Sequence, residues 1–261
     1  MNIAQAISLY ESHNPFTSAL ALANSNYSAC IDGELVRLLD WRDVSARARL
    51  AHAALQRFIA ADDYPCVGAK AVANRRSYRF GVYQAMGSEA ASAGLAHDLC
   101  SFSAERPLMQ TEYASFIAVF DDIDLRDERC FEAVFWEQLS DLARLGRPHF
   151  AWDPAVSSDP QDPTFAFSFA GAAYFVVGMH PGSSRLARRF AWPAIAFNAR
   201  AQFDVLRARG IYDRFKTIVR ARDRALQGSL NPNLAEFGEV SEARQYAGRA
   251  VEPAWRCPFR D

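Results

Sequence analysis

Two short runs, Thr164–Ala170 (TFAFSFA) and Ala172–Met179 (AAYFVVGM), constrain this chain more than any other feature. Both are dense in aromatic and β-branched residues, which favour extended backbone, and the single Gly171 between them permits a tight reversal. The pair therefore reads as a β-hairpin. An isolated hairpin is barely stable in water, so this one needs further strands and a covering layer. Arg79–Tyr83, Ser115–Phe120 and Ala194–Phe197 read as those strands. Helical patterns lie between them, at Ile3–Glu11, Trp41–Ala60 with Asp40 as its cap, Ser88–Glu105, Cys130–Leu145, Gln202–Ala208 and Tyr212–Gln227. Tyr64–Lys70 reads as a turn feeding a short helix. The proline- and aspartate-rich stretch 153–163 reads as an exposed loop within one domain, and the tail from Gly228 as irregular but packed. The expected architecture is α+β: a single domain over residues 1–261, with a largely antiparallel central sheet flanked by helices and some parallel pairing where a helix crosses between strands.

Composition narrows the class. With 261 residues, 50% of them hydrophobic, the chain can build a core without disulfides or metal. A formal net charge of −1 argues against a globally basic nucleic-acid binder. No apolar run is long enough for a bilayer, and the first residues lack the basic start and apolar stretch of a secretory signal. Five cysteines at scattered positions (30, 66, 100, 130, 257) read as free thiols in a reducing cytoplasm. Charge is unevenly spread: residues 180–261 carry 15 basic and 8 acidic side chains, and residues 1–179 carry 14 and 22. Either the C-terminal third faces an anion or the two halves pair across the fold. Nearly every cation is arginine, the side chain best shaped to fork onto carboxylates and phosphates.

Among the histidines, His13, His52, His97 and His149 read as surface or structural. His180 differs: it ends the apolar strand and precedes Pro181-Gly182, where a turn holds an imidazole rigidly enough to ligate iron or act as a base. Arg185, Arg188 and Arg189 follow it; Arg185 and Arg189 share a face if the segment is helical, and such a group suits an anionic cofactor. Cys66, ahead of a helix, is a candidate nucleophile or thiolate ligand, and Cys257 lies beside arginines. The cysteine and histidine spacings match no zinc site, and there is no phosphate-binding glycine loop or nucleophile elbow. Glu239 and Glu242 are candidates for a cationic substrate; Ser241 equally reads as the cap of a helix starting at Glu242.

Together these segments resemble the YqcI/YcgG-like family of bacterial proteins. The likeness is carried by Tyr64-Pro65-Cys66-Val67-Gly68-Ala69-Lys70, by Gly178-Met179-His180-Pro181 running to Ser184-Arg185, and by Phe197-Asn198 with Gln202-Phe203. It continues through Gln227-Gly228-Ser229-Leu230-Asn231-Pro232, Ser241 to Tyr246, and Trp255-Arg256-Cys257-Pro258-Phe259. After Phe197-Asn198 the resemblance leads one to expect Pro-His, where this chain has Ala199-Arg200. Characterised members of the family look like haem-dependent oxygenases that hydroxylate nitrogen, typically the guanidino group of L-arginine to Nω-hydroxy-L-arginine, in natural product biosynthesis. The resemblance thus implies a cytoplasmic monooxygenase with haem b, O2 as co-substrate, an external electron donor and a guanidino or amine substrate; a homodimer is compatible with it. On that reading His180 is the expected iron ligand, with Cys66 and Cys257 as thiolate alternatives. Arg185, Arg188 and Arg189 would meet the propionates, Phe165–Phe175 would wall the porphyrin, and Glu239 or Glu242 would meet the substrate. A non-catalytic haem carrier or sensor, and a metal-free anion-binding module, are the competing readings.

Overall fold

The computed structural model describes residues 14–40, 42–109, 111, 113–121, 125, 127–235 and 238–260. The expected helix Ile3–Glu11, together with His13, lies outside them. Among the described residues seven strands form one sheet: β1 (Ser28–Ile31), β2 (Glu34–Arg37), β3 (Tyr78–Tyr83), β4 (Ser115–Phe120), β5 (Phe167–Phe169), β6 (Ala172–Met179) and β7 (Ala194–Ala199), in the order β2-β1-β3-β4-β7-β6-β5. Every pairing is antiparallel except β3 with β4. The helices among the described residues are α1 (Ala19–Asn24), α2 (Ala46–Ala60), α3 (Val67–Asn74), α4 (Glu89–Glu105), α5 (Glu128–Gly146), α6 (Ala201–Ala208), α7 (Tyr212–Gln227) and α8 (Ala243–Tyr246). The parallel pair follows from α4, which carries the chain back so that β4 starts at the same edge as β3.

Strand alternation divides the core in two. Phe116, Ala118 and Phe120 of β4, with Ile195 and Phe197 of β7 and Tyr174 and Val176 of β6, pack under α4 and α5. Their neighbours Ile117, Val119, Ala194 and Met179 face the opposite way, toward α2 and α3. On the α5 face, Gly178 is required by a close approach: a Cβ there would lie 2.9 Å from the Phe131 ring. Arg79 and Glu105 form a buried ion pair that ties β3 to α4.

The hairpin β5–β6 turns through Ala170 (φ 50°) and Gly171 (φ 72°), the two left-handed residues of a type I′ turn. Its first strand starts at Phe167 rather than Thr164, because Asp162 accepts from both the backbone N–H and the hydroxyl of Thr164 and holds that residue in a turn. The long second helix begins at Ala46, capped by the Ser45 hydroxyl, which accepts from the Ala48 N–H. Asp40, expected as that cap, is instead bound by Arg37 and Arg42, and this holds its carboxyl well below the usual carboxylate range. Arg249 meets Glu132 of the first part of the chain, whereas Arg185, Arg200 and Arg207 pair with carboxylates of their own part, Asp223, Glu242 and Asp204.

Candidate functional site

A cavity of ≈ 360 Å³ lies on the sheet face away from α4 and α5. That is within the range of small-molecule sites. Its floor is the other parity of the strands: Tyr78, Ser115, Ile117, Phe175, Val177, Met179, Ala196 and Asn198. Helices α2 and α3 form one wall. The second wall is α6 and α7, with Asn231, Leu234, Gly238, Val240, Glu242 and Gln245 closing it. Helix α7 seats against α3 at Gly68, where a Cβ would lie 3.1 Å from the Phe215 ring. It is further held by Arg185, whose Nη2 donates to Asp223 at 2.5 Å and to the Ser229 carbonyl at 2.9 Å. Gln227 reaches across from the end of α7 to the backbone of Ser184 and Leu186.

Cys66 is the soft donor on this wall. It is the N-cap of α3, a position where a side chain accepts from the helix's free N–H groups. Its sulfur accepts from the Ala69 N–H at 3.4 Å. Burial pushes the thiol up from its ordinary value, while the backbone N–H groups of Ala69 and Gly68 and the charge of Arg188 pull it back. Arg188 also lines the cavity, and desolvation pulls its guanidinium down to about 10, so it stays charged at neutral pH. It is clamped by the carbonyls of Gly178 and Tyr246, and Gly248 makes room for it: a Cβ there would lie 2.8 Å from its Cδ.

A polar group lies at the Phe175 end of β6, where Asn198 pairs in register with Phe175. Glu242 accepts from Arg200 at 3.4 Å, and burial raises its carboxyl above the ordinary value despite the nearby arginines. Ser241 accepts from the Ala243 N–H, and the helix begins at Ala243, so Glu242 sits outside it and serves the cavity wall instead.

The expected residues thus separate. Cys66, Arg185, Arg188 and Glu242 come together around the cavity. His180 is not among its lining residues. It continues the even-numbered face of β6, where its ring stacks on Phe131 (centroids 4.3 Å apart, 17° between planes). Its Nδ1 lies 3.2 Å from the Leu125 carbonyl, which fixes the proton on Nδ1, and burial lowers its pKa. Arg189 is exposed and donates to the Ser183 carbonyl. The expected shared face of Arg185 and Arg189 is absent because the segment makes only a 3₁₀ turn, Leu186–Arg188. Glu239 is exposed and off the wall, and Cys257 packs in the α5-side core, where burial pushes its thiol up to about 12. Of Phe165–Phe175, only Phe175 reaches the cavity; Phe165 and Phe167 pack around Phe259 on the other face. Gln202 and Tyr78 were not picked out as site residues by sequence reasoning. Tyr78 falls at the start of β3, on the parity that Ile117 and Val177 share.

Among the described residues no cluster of three or more histidine, cysteine or acidic side chains could hold a bare metal ion, and no helix is long and apolar enough to cross a membrane. No solved structure matches the chain. An uncharacterized protein of Bacillus subtilis (strain 168), YcgG, is 29% identical over 158 residues, covering 57% of this chain and 62% of its own length. The chain therefore spans under two thirds of that relative. The model of the YqcI/YcgG family matches residues 55–260, which hold β3 to β7, α3 to α8 and the whole of Cys66's helix cap. By that match, the chain belongs to the YqcI/YcgG family.

Proposed function

We propose that the chain is a haem-dependent N-oxygenase acting on a guanidino nitrogen, with L-arginine as the reference substrate and the cavity beside Cys66 as its site. The donor set fits a porphyrin better than a bare ion, because a porphyrin brings four nitrogens and needs one side chain, whereas a bare ion needs several. When bound, haem iron would supply the O2 chemistry that side chains lack, with two electrons from an external reductase and two protons, one oxygen atom entering the substrate as N–OH and the other leaving as water.

The chain's own part is positioning and charge. Cys66 would hold the iron as a thiolate, and the N–H groups at the start of α3, aimed at its sulfur, would stabilise that charge. Arg188 places a positive charge near the same atom and suits a carboxylate of the cofactor. The apolar part of the floor, with Ile117, Phe175, Val177 and Met179, lowers the local polarity, which strengthens each of these interactions. At the far end of β6, Glu242 offers a half-buried carboxylate to a cationic substrate.

The observation that carries this reading is the helix-capping thiol on the wall of a largely apolar cavity that also holds a half-buried carboxylate. The test compares haem content and arginine hydroxylation, with a chemical or enzymatic reductant, for wild type, Cys66→Ala, His180→Ala and Cys257→Ala. Cys66→Ala is expected to lose the native haem spectrum and the product, with His180→Ala and Cys257→Ala retaining the spectrum. Haem loss confined to His180→Ala would move the ligand to the other face of the sheet and overturn the site. Haem without product in any form would make the protein a carrier or sensor.

A further inference from the structure

The polar end of the cavity holds an acceptor that the protein leaves unfilled. Gln202, the second residue of α6, is 5% exposed and lines the cavity, yet its Oε1 has no hydrogen-bond partner. A buried carbonyl oxygen without a donor is uncommon and unfavourable. The side chains around it do not relieve it. Asn198 donates to the carbonyls of Phe175 and Ala196, and its Oδ1 accepts from Ser115. Arg200 is engaged with Glu242, and Arg207 with Asp204. Glu242 itself, half-buried on the same wall, is an acceptor when ionised. Arg200 precedes α6 as its N-cap, so its ion pair draws Glu242 to the end of the helix where Gln202 sits. The result is two acceptors on one stretch of wall, a half-buried charged one and a buried neutral one.

We infer that Gln202 is a specificity-determining contact: its Oε1 takes one N–H of a substrate whose positive charge is held by Glu242. One acceptor alone would suit any ammonium. Two acceptors favour a cation that presents several N–H donors in one plane, a guanidinium or amidinium, over one that presents a carbonyl at the same place. The inference rests on the proposed substrate site, but its test reads ligand binding directly and does not depend on haem.

The experiment is calorimetric titration of wild type, Gln202→Leu and Glu242→Gln with L-arginine and with L-citrulline, which differs by a carbonyl oxygen in place of one nitrogen. Thermal melting of each ligand-free protein accompanies it. Wild type should bind arginine and prefer it to citrulline. Gln202→Leu should bind arginine about 10- to 100-fold more weakly, the loss of one hydrogen bond to a charged group, and should lose most of the preference. Its ligand-free melting temperature should hold or rise, because the amide makes no bond with Oε1 to lose. Unchanged arginine affinity in Gln202→Leu would overturn the inference and leave the haem reading standing. A lower melting temperature would make the amide structural and overturn it too, as would a wild type that binds neither amino acid. A protein that binds arginine in this way but takes up no haem would sink the oxygenase reading while leaving the role of Gln202 in place.

Discussion

Lowering the pH should unfasten the α2 side of the cavity through His52. This imidazole is 4% exposed, with Nε2 2.6 Å from the Tyr78 hydroxyl and its ring edge-on to Phe80. Burial drops its pKa from 6.5 to about 4, so at neutral pH it is uncharged and shares a hydrogen bond with the Tyr78 hydroxyl. The unfolded chain takes up a proton near pH 6.5 that the folded chain refuses until about pH 4. Stability is therefore fully present above 6.5 and is lost as the pH falls through that window. A drop of that size corresponds to about 3 kcal/mol, most of it gone by pH 4.5. Urea denaturation of wild type and His52→Gln between pH 7.5 and 4.5 isolates the effect, since glutamine can still hydrogen-bond with Tyr78 but does not titrate. The gap between the two proteins should shrink by roughly 2–3 kcal/mol as the pH falls. Parallel curves over the whole range would refute the assignment.

Other consequences follow from single positions. Gly94→Ala, which normally steadies a helix by about 1 kcal/mol, should here destabilise, because the new Cβ would meet the Asn24 carbonyl oxygen at 2.4 Å and push α1 off α4; an equal or higher melting temperature would contradict this packing. Burial raises the Glu242 carboxyl, so arginine affinity should fall as the pH drops through that raised value and Glu242 takes up a proton. Glu242→Gln should lose this pH dependence, which titration calorimetry at stepped pH will read.

Much of the architecture is legible in local patterns. The helix Tyr212–Gln227 and the strand Ser115–Phe120 have the bounds their periodicity implies, and the hairpin turn sits where Gly171 puts it. The hairpin β1–β2 is equally legible in principle: Asp32-Gly33 (φ 50° and 93°) between Cys30-Ile31 and Glu34-Leu35 is a strong two-residue turn signal, passed over because its strands are only four residues each. Asp40 is not the cap because its sequence neighbours Arg37 and Arg42 claim its carboxylate, and Ser45 takes the role. The site was half legible. Cys66 ahead of a helix is a local signal. That His180 lies across the sheet from Cys66 is a matter of strand parity combined with the location of the helices, and that Gln202 goes unsatisfied depends on what Asn198, Arg200 and Glu242 do elsewhere.

The most direct test of the account is the ferrous–CO absorption spectrum of the protein purified after expression with a haem precursor, with Cys66→Ser beside it. The account predicts an intense Soret band that moves with reduction and with CO to the red-shifted position of thiolate ligation, absent from the variant. A CO complex of the imidazole type in both proteins would contradict Cys66 as the ligand. A protein that stays colourless through haem titration would contradict the oxygenase itself.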